Sequence, residues 1–264
     1  MSACRPLLLA FLGLALLPGC PGASAQRSYP PPDPSDIVAH LTSLRERAPT
    51  HNADTKTDVR LGSERVNVTV MMLAAWGGKQ RFQAHDPNNA MAADLASDGE
   101  RYCFIDVHGQ CAECGEATPE SVARLVRIPL EPDQVVEVLL GSTPVLEGTA
   151  KLSWDASNGR EILDIAREPH TQRIILDGRD KRWDVLESEL REGDKSLWKI
   201  RHKDFHEVRT PDGKTARVPG ASLFEQAGDT VRITWKNQRI GEPLEESKFK
   251  LTPQAGLPPC PGSQ

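Results

Sequence analysis

The chain contains 264 residues, of which 38% are hydrophobic and 26% are charged. Its 32 basic and 37 acidic residues give a net charge of −5, and the two signs are mixed along the chain without a basic block. This pattern argues against nucleic-acid binding, which needs a concentrated positive surface. The residues that follow the N-terminal segment are enough for one ample hydrophobic core, and no low-complexity linker divides them.

The N-terminal segment has the pattern of an export signal. Arg5 precedes the apolar run LLLAFLGLALL, which has the length of a signal-peptide core and is too short to cross a bilayer. The run ends in Leu17-Pro18-Gly19-Cys20, which resembles a bacterial lipobox and predicts a lipidated Cys20 as the first mature residue. The alternative is cleavage after Ala23-Ser24-Ala25, which would leave Gln26 first. The predicted divisions of the chain are a signal peptide at 1–19, a Pro-rich tether at 20–34, a folded domain at 35–259 and a tail at 260–264.

Four further cysteines are Cys103, Cys111, Cys114 and Cys260. In an oxidising compartment this number predicts two disulfides, and the sequence leaves three connectivities open. Other interpretations are a redox pair of Cys111 and Cys114, or a zinc site that adds His108. A redox pair normally opens a helix beside a parallel strand, and periplasmic thiols tend to be oxidised before they hold zinc. The pattern therefore favours structural disulfides, with no metal and no cofactor.

The first predicted element is a helix. Ser35 can cap it, Ile37, Leu41 and Leu44 fall on one face, and Pro49 ends it. The apolar period then changes to two, which indicates antiparallel strands separated by turns. The strands predicted in this part of the chain lie at 66–70, 82–84 and 101–107.

The stretch SVARLVRIPLEPDQVVEVLLG, residues 121–141, interrupts this alternation. Thr118-Pro119 can begin a helix that ends at Pro129. Pro132-Asp133 suits the first turn of a second helix, with Gly141 as its C-terminal stop. A buried strand is the alternative for VVEVLL, because valine disfavours helices. The flanking proline and glycine favour two short helices.

Alternation resumes after this stretch and continues to the end of the chain. Asn158-Gly159 and Asp177-Gly178 are typical of turns between strands. The strands predicted here are centred on 152–154, 162–165, 174–176, 183–185, 198–200, 231–235 and 249–251. In total about ten or eleven strands each show one apolar face, which predicts an antiparallel sheet that curls around the helices.

This order of elements resembles the LolA and LolB family of outer-membrane lipoprotein-sorting proteins. Ile128-Pro129-Leu130 and Leu139-Leu140-Gly141 match LolB, and the run VRITWKNQRIGEPLEESKFKLTPQAGLP at 231–258 is similar to the closing strands of the family. The resemblance implies a mainly β fold, a half-open antiparallel β-barrel of about eleven strands. An N-terminal helix and a short helical lid would lie over an apolar cavity for acyl chains.

The function implied by the resemblance is non-enzymatic. A LolB-like protein, anchored in the outer membrane and facing the periplasm, receives acylated lipoproteins from a periplasmic LolA-like carrier and promotes their localisation. We expect a monomer. Because an exposed CH₂ costs about 0.8 kcal/mol in water, the acyl chain needs an apolar cavity. The candidate cavity residues are Trp76, Phe82, Leu125, Ile128, Leu130, Val135, Leu139, Trp154, Trp183, Trp198, Ile233 and Trp235.

One segment departs from the family pattern. Where LolB-like proteins have a loop with a protruding leucine, Asp86-Pro87-Asn88-Asn89 offers only polar side chains, which puts the membrane-insertion step in question. An alternative function is therefore an envelope lipid-binding or sensor lipoprotein of the same fold without transfer activity. Pro21 follows Cys20 in place of aspartate, which in enterobacterial sorting rules permits transport to the outer membrane.

An enzyme is the third hypothesis, either a thiol oxidoreductase or a hydrolase that uses a histidine. The chain has no G-x-S-x-G elbow, no H-E-x-x-H and no Gly-rich phosphate loop. His202 and His206 lie in a predicted hairpin, and we interpret them as a solvated surface pair. The sequence therefore favours a binding protein.

Overall fold

The computed structural model describes residues 25–121 and 130–261. Helices α1 (Pro34–Thr42) and α2 (Leu44–Arg47) precede the strands, and α3 (Pro132–Leu139) lies between β6 and β7. Short 3-10 turns cover Arg179–Lys181 and Glu246–Phe249. The strands are β1 (Thr50–Leu61), β2 (Glu64–Ala75), β3 (Lys79–His85), β4 (Met91–Asp98), β5 (Arg101–Asp106), β6 (Cys111–Glu116), β7 (Thr149–Asp155), β8 (Arg160–Arg167), β9 (His170–Asp177), β10 (Asp184–Glu192), β11 (Lys195–Lys203), β12 (His206–Arg209), β13 (Thr215–Val218), β14 (Ala221–Gln226) and β15 (Asp229–Ile240).

Thirteen of these strands form one open antiparallel sheet in the order β6-β5-β4-β3-β2-β1-β15-β14-β11-β10-β9-β8-β7, and β12 and β13 form a separate ribbon. The mainly β antiparallel fold is confirmed, with more strands in the described residues than the predicted eleven. The unpredicted strands include Met91–Asp98 and Cys111–Glu116, which are rich in Ala, Asp, Cys and Glu rather than in β-branched residues.

One face of the sheet is apolar across most of its width, and we call it the inner face. Directly paired residues form a continuous row along it. The row contains Leu152, Leu163, Ile174, Ser188, Ile200, Phe224, Val231, Val59 and Val66. The curl of a sheet this wide encloses that face, as predicted from the one-sided alternation.

The two ends of the sheet differ in what covers them. End A carries the turns β1–β2, β3–β4, β8–β9, β10–β11 and β14–β15, and end B carries the turns β2–β3, β7–β8 and β9–β10 with the β12–β13 ribbon. A nine-residue strand such as β10 spans about 30 Å, so the ends are separated by about that distance. Within the described residues, helices α1, α2 and α3 lie toward end B.

Helix α1 packs its Ile37 and Leu41 against the inner face of β8 and β9. Its N-cap is Asp33, whose Oδ1 accepts a hydrogen bond from the Ser35 amide at 2.8 Å. The prediction of Ser35 as the cap was therefore wrong by two residues. Pro34 can occupy the first helical turn because its fixed φ suits that position and its missing N–H is not needed there.

Helix α3 confirms the helix predicted between Pro132 and Gly141, and the strand alternative is wrong. Asp133 Oδ1 accepts hydrogen bonds from the amides of Gly77 (2.8 Å) and Gly78 (2.7 Å), so the β2–β3 turn holds the start of the helix. Val135, Val136, Val138 and Leu139 are buried in the main core. The preceding predicted helix, up to Pro129, lies largely outside the described residues.

Gly141 ends α3 with a φ of +82°, and a Cβ at this position would overlap the Pro219 ring. We expect Gly141→Ala to lower the free energy of unfolding by about 3 kcal/mol, from the left-handed backbone and from the overlap. Gly213 is a matched control, because it has the same φ of +82° and no atom lies within 4 Å of the place that a Cβ would take. Gly213→Ala should cost only about 1 kcal/mol in urea denaturation. Equal losses in the two variants would show that Pro219 does not restrict Gly141.

The C-terminal segment does not form the predicted strand at 249–251. Glu246–Phe249 is a 3-10 turn that lies against β3 and β4, with Phe249 buried. Arg81 Nη1, on the outer face of β3, donates to the Lys248 carbonyl at 3.2 Å. No further strand can pair at β15, because β1 and β14 already occupy both its edges. The segment therefore covers part of the outer face.

Two disulfides stabilise the edge of the sheet formed by β5 and β6. Cys103–Cys114 links β5 to β6, and Cys111–Cys260 joins the C-terminal segment to β6, where the Ala112 amide also donates to the Pro258 carbonyl at 2.9 Å. Cys111 and Cys114 are thus bonded to different partners and do not form the redox pair considered above. In the described part of the chain, no helix is long and apolar enough to cross a membrane.

Candidate functional site

A cavity of about 680 Å³ lies on the inner face and opens toward end A. We call it the end A cavity. Its volume is typical of sites that bind small molecules. The apolar residues of its wall are Leu130, Pro144, Val145, Leu146, Leu190, Leu197, Trp198 and Ala227, and the polar or charged ones include Gln134, Glu147, Arg167, Lys195 and Gln226.

A β-bulge shapes one wall of this cavity. Leu190 pairs with Trp198 and Arg191 pairs with Ser196, so Leu197 is an extra residue in β11. The bulge lets two consecutive side chains, Leu197 and Trp198, both line the cavity, whereas a regular strand would point one of them to the outer face. The sequence prediction included Trp198 and missed Leu190 and Leu197, because simple alternation does not reveal a bulge.

The opposite wall is a segment at 142–148 that crosses the inner face between α3 and β7. Gln172, buried in β9, donates from Nε2 to the Pro144 carbonyl (2.7 Å) and accepts from the Leu146 amide at Oε1 (2.7 Å). Ser188 and Thr143 are joined through their hydroxyls at 2.8 Å. These polar side chains satisfy the backbone of the buried segment and hold the wall in place.

Charged side chains surround the mouth of the cavity. Arg167 and Glu147 are 3.6 Å apart across the rim, and both are largely exposed. Lys195 is also exposed there. An exposed ion pair of this kind contributes little to stability, so the rim offers polar contacts without closing the mouth.

Apolar surface continues from the cavity along the inner face of β1 and β2. Val59 and Val68 are partly buried, and Val66 is 49% exposed. These residues lie in the end A half of the sheet. Exposed apolar surface next to an apolar cavity is typical of a binding site.

A second cavity, of about 660 Å³, lies at end B between α1, α2 and the β12–β13 ribbon. Charged groups on its wall pair with one another: Arg217 is 2.8 Å from Asp184 and 3.9 Å from Glu207. An acyl chain in this cavity would remove these charges from water, which is unfavourable. At end A the Arg167–Glu147 pair lies exposed on the rim, so an acyl chain can enter without burying it, and we take the end A cavity as the candidate apolar site.

His202 lies in a buried polar cluster on the inner face. Its Nε2 is 3.0 Å from the Ser142 carbonyl and therefore carries the proton, so Nδ1 accepts from the Ser222 hydroxyl at 2.8 Å. Trp235 Nε1 also donates to the Ser222 oxygen at 2.8 Å. His202 is 3% exposed, so the predicted solvated surface pair with His206 was wrong. A Ser–His contact can support hydrolysis, but neither residue lines either of the two cavities above.

The two buried histidines predict acid sensitivity. Burial lowers the pKa of His51 and of His202 to about 4. The unfolded chain, with a histidine pKa of about 6.5, therefore binds more protons between pH 6.5 and 4, and stability falls as the pH is lowered through this range. At pH 5 each group should reduce the free energy of unfolding by about 2 kcal/mol relative to pH 7.

Urea denaturation of variants at pH 7 and pH 5 measures this effect. His202→Gln should reduce the fall in the free energy of unfolding between pH 7 and pH 5 by about 2 kcal/mol, whereas His206→Gln, which changes an exposed side chain, should leave that fall unchanged. Burial raises the pKa of Glu137 to about 7, so protonation of this carboxyl below pH 7 stabilises the folded protein and opposes the effect of the histidines. For this reason the pH-dependent changes in the free energy of unfolding are compared between variants. An unchanged pH difference in His202→Gln would contradict the prediction.

The N-terminal residues 25–29 dock at end B, and we call them the docking segment. Arg27 makes a bidentate ion pair with Glu161, with Nε–Oε1 and Nη2–Oε2 distances of 2.7 and 2.9 Å. Glu161 is fully buried on the inner face of β8. The Ala25 amide donates to the Ala156 carbonyl (2.7 Å), and Trp154 Nε1 donates to the Ala25 carbonyl (3.0 Å). The described part of the predicted tether is therefore packed on the sheet.

Aromatic rings form the rest of the binding site for the docking segment. The Tyr29 ring lies edge-on between Trp154 and Trp183, with centroid distances of 6.4 and 5.9 Å. A Cβ at Gly178 would collide with the Tyr29 hydroxyl and the Trp183 ring, so glycine provides the room for Tyr29. Burial, with the charge of Glu161, raises the pKa of the Tyr29 phenol to about 12.

The predicted cavity residues separate into four groups. Leu130 and Trp198 line the end A cavity. Trp76 is half-buried and donates to the Ala48 carbonyl at 2.9 Å, and Trp154 and Trp183 hold Tyr29. Leu125 and Ile128 lie outside the described residues, as does Cys20, the predicted lipidation site. The residues buried in the packed core are Phe82, Val135, Leu139, Ile233 and Trp235.

The described residues contain no group of three or more His, Cys, Asp or Glu side chains arranged to hold a metal ion. His108, considered above as a zinc ligand, is exposed in the β5–β6 turn. The four cysteines that could have joined it are all in disulfides.

Comparison with known proteins identifies the fold. No family model matches the sequence, and no curated protein matches it. A LolA superfamily protein from Nitrosomonas europaea superposes with a TM-score of 0.54 at 7% identity, over 84% of this chain and 99% of that chain. A DUF1329 family protein from Desulfovibrio piger superposes with a TM-score of 0.53 at 10% identity, over 82% and 95%. The chain therefore has a LolA-like fold with an open sheet.

Proposed function

We propose that this protein binds the acyl chains of lipoproteins or lipids in the end A cavity, as a lipid-anchored protein of the bacterial envelope. In this function it receives lipoproteins in the periplasm and promotes their localisation to the outer membrane. The observation that carries the proposal is the cavity of about 680 Å³ on the inner face of a LolA-like sheet, in which apolar side chains such as Leu190, Leu197 and Trp198 line the wall and charged ones lie at the mouth. Each CH₂ moved from water into such a cavity gains about 0.8 kcal/mol.

Lipidation at Cys20 is supported by the position of Ala25. Cleavage after Ala25 would remove that residue and both hydrogen bonds that it makes with Ala156 and Trp154. Cleavage before Cys20 keeps Ala25 in the mature chain, where it can dock. A membrane anchor at Cys20 is thus compatible with the packing at end B, and stable anchoring would follow from more than one acyl chain on this residue.

A non-enzymatic role is supported by the state of the reactive side chains. The four described cysteines are in disulfides, and the His202–Ser222 pair is buried away from both cavities. A general base must come within hydrogen-bond reach of the proton that it removes from a substrate. Binding in the end A cavity does not bring a substrate to that pair.

The test is to purify the soluble form lacking residues 1–20 and examine it by native mass spectrometry. Retention of an acylated lipoprotein, or loading with a synthetic triacylated lipopeptide, is the expected result. The non-acylated peptide of the same sequence is the control and should not bind. If the protein neither retains nor accepts the acylated peptide, acyl binding is not its function.

A second candidate function is lipid or lipoprotein binding without transfer, as in an envelope sensor. The β3–β4 turn favours it, because Asp86 Oδ1 accepts from the amides of Asn88 and Ala90, both at 2.9 Å, and no leucine protrudes from this turn. Incubation of the anchored protein with a LolA-like carrier loaded with lipoprotein separates the two functions. Loading without subsequent delivery to vesicles would favour the sensor.

A further inference from the structure

We infer that the anchored protein stands with end B next to its membrane, so that the end A cavity opens away from the bilayer toward the aqueous space. The inference rests on the proposed lipidation of Cys20 and on the docking segment, residues 25–29. It assigns end B as the membrane-proximal surface and end A as the surface that meets a soluble, acyl-carrying partner.

The sheet provides a specific binding site for the docking segment at end B. Its Arg27 reaches a fully buried carboxylate on Glu161, and its Tyr29 fills a space that Gly178 leaves free. A buried Glu161 without Arg27 would be an unpaired charge in the apolar face, which proteins avoid. These contacts therefore hold the docking segment on the sheet, and residue 25 has a defined position beside the β7–β8 turn.

The length of chain before the docking segment limits the distance to the membrane. Four residues lie between Cys20 and Ala25, and the five Cα–Cα steps from one to the other span at most about 18 Å when fully extended. End A lies about 30 Å beyond end B along the strands. The anchor therefore reaches end B and not end A while the docking segment stays in place.

The surfaces of the two ends fit this orientation. Trp154 and Trp183 are only partly buried beside the docked segment, and tryptophan is favoured at the level of lipid headgroups. At end A the rim carries Glu147, Arg167 and Lys195, which are suited to water. End A also carries the exposed apolar side chains of Val66, Met91 and Val107, which in this orientation are available to an acyl-carrying partner and not to the bilayer.

Energy transfer from a protein-bound donor to acceptor-labelled lipids tests the orientation. Full-length lipidated protein is reconstituted into vesicles after labelling of one introduced thiol, Ser157→Cys at end B or Asp194→Cys at end A. Both positions are exposed turn residues. We expect strong quenching of the donor at residue 157 and several-fold weaker quenching at residue 194. Equal quenching, or stronger quenching at residue 194, overturns the inference.

A linker variant provides the control. Insertion of twenty Gly and Ser residues between Gly22 and Ala23 adds a flexible span of about 25 Å and leaves the docking segment intact, so the difference between the two donors should shrink.

Mass spectrometry of the N-terminal peptide tests lipidation separately: a chain without acyl groups on Cys20 refutes the orientation and leaves cavity binding untouched. If the soluble form does not bind the acylated peptide but the difference in quenching is present, the proposed function is refuted and the orientation is retained.

Discussion

Leu190→Arg is expected to weaken acyl binding in the end A cavity by at least tenfold while the sheet remains folded. Leu190 lines the cavity beside Trp198 and is only partly buried, so a longer side chain can reach water from this position. A guanidinium at the wall removes apolar contact and must lose water when an acyl chain enters. A tenfold weaker affinity corresponds to a loss of about 1.4 kcal/mol in the free energy of binding.

Titration with a fluorescent fatty-acyl probe measures the affinity, and circular dichroism reports the fold. Met71→Arg is the matched control, because Met71 is 37% exposed on the outer face of β2 and contacts neither cavity. The control should bind the probe like the unchanged protein. Equal affinity of Leu190→Arg and Met71→Arg would place the binding site elsewhere.

Arg27→Ala is expected to lower the free energy of unfolding by about 3 kcal/mol, because it leaves the Glu161 carboxylate buried and unpaired. Adding Glu161→Gln should restore part of the loss, since a neutral amide costs less to bury than a charge. Urea denaturation of the soluble form that begins at Pro21 measures both variants against the unchanged protein. A double variant less stable than Arg27→Ala alone would contradict the role assigned to the pair.

Arg173→Ala is the control for this experiment. Arg173 makes a similar bidentate contact with Asp164, at 2.7 and 3.2 Å, but both side chains are exposed. Removing an exposed pair should cost less than about 1 kcal/mol. The comparison separates the effect of burial from that of the ion pair itself, because the chemistry of the two pairs is nearly the same.

Several elements could be predicted because their signals are local. Pro132 and Gly141 act on the backbone of the residues next to them, and they marked α3 correctly despite its three valines. The alternation of Val231, Ile233 and Trp235 likewise identified β15. Four cysteines behind a predicted export signal indicated two disulfides, and the connectivity came only with the structure.

The features that define the candidate site were less accessible to sequence reasoning. Leu197 lines the cavity only because β10 and β11 pair with a bulge. His202 is buried because the segment at 142–148 crosses above it and offers the Ser142 carbonyl. Arg27 and Glu161 are 134 positions apart in the chain, and nothing near either residue indicates the other.

The sequence by itself determined the mainly β character, the position of the covering helix and the apolar face of most strands. Proline, glycine and the period of two act through backbone angles and side-chain direction within a few residues, so no distant partner is needed to express them. Only the tertiary structure decided that the N-terminal segment docks at end B while the apolar cavity opens toward end A. That arrangement depends on the register of thirteen paired strands and on one buried charge pair, which are contacts between residues far apart in the chain.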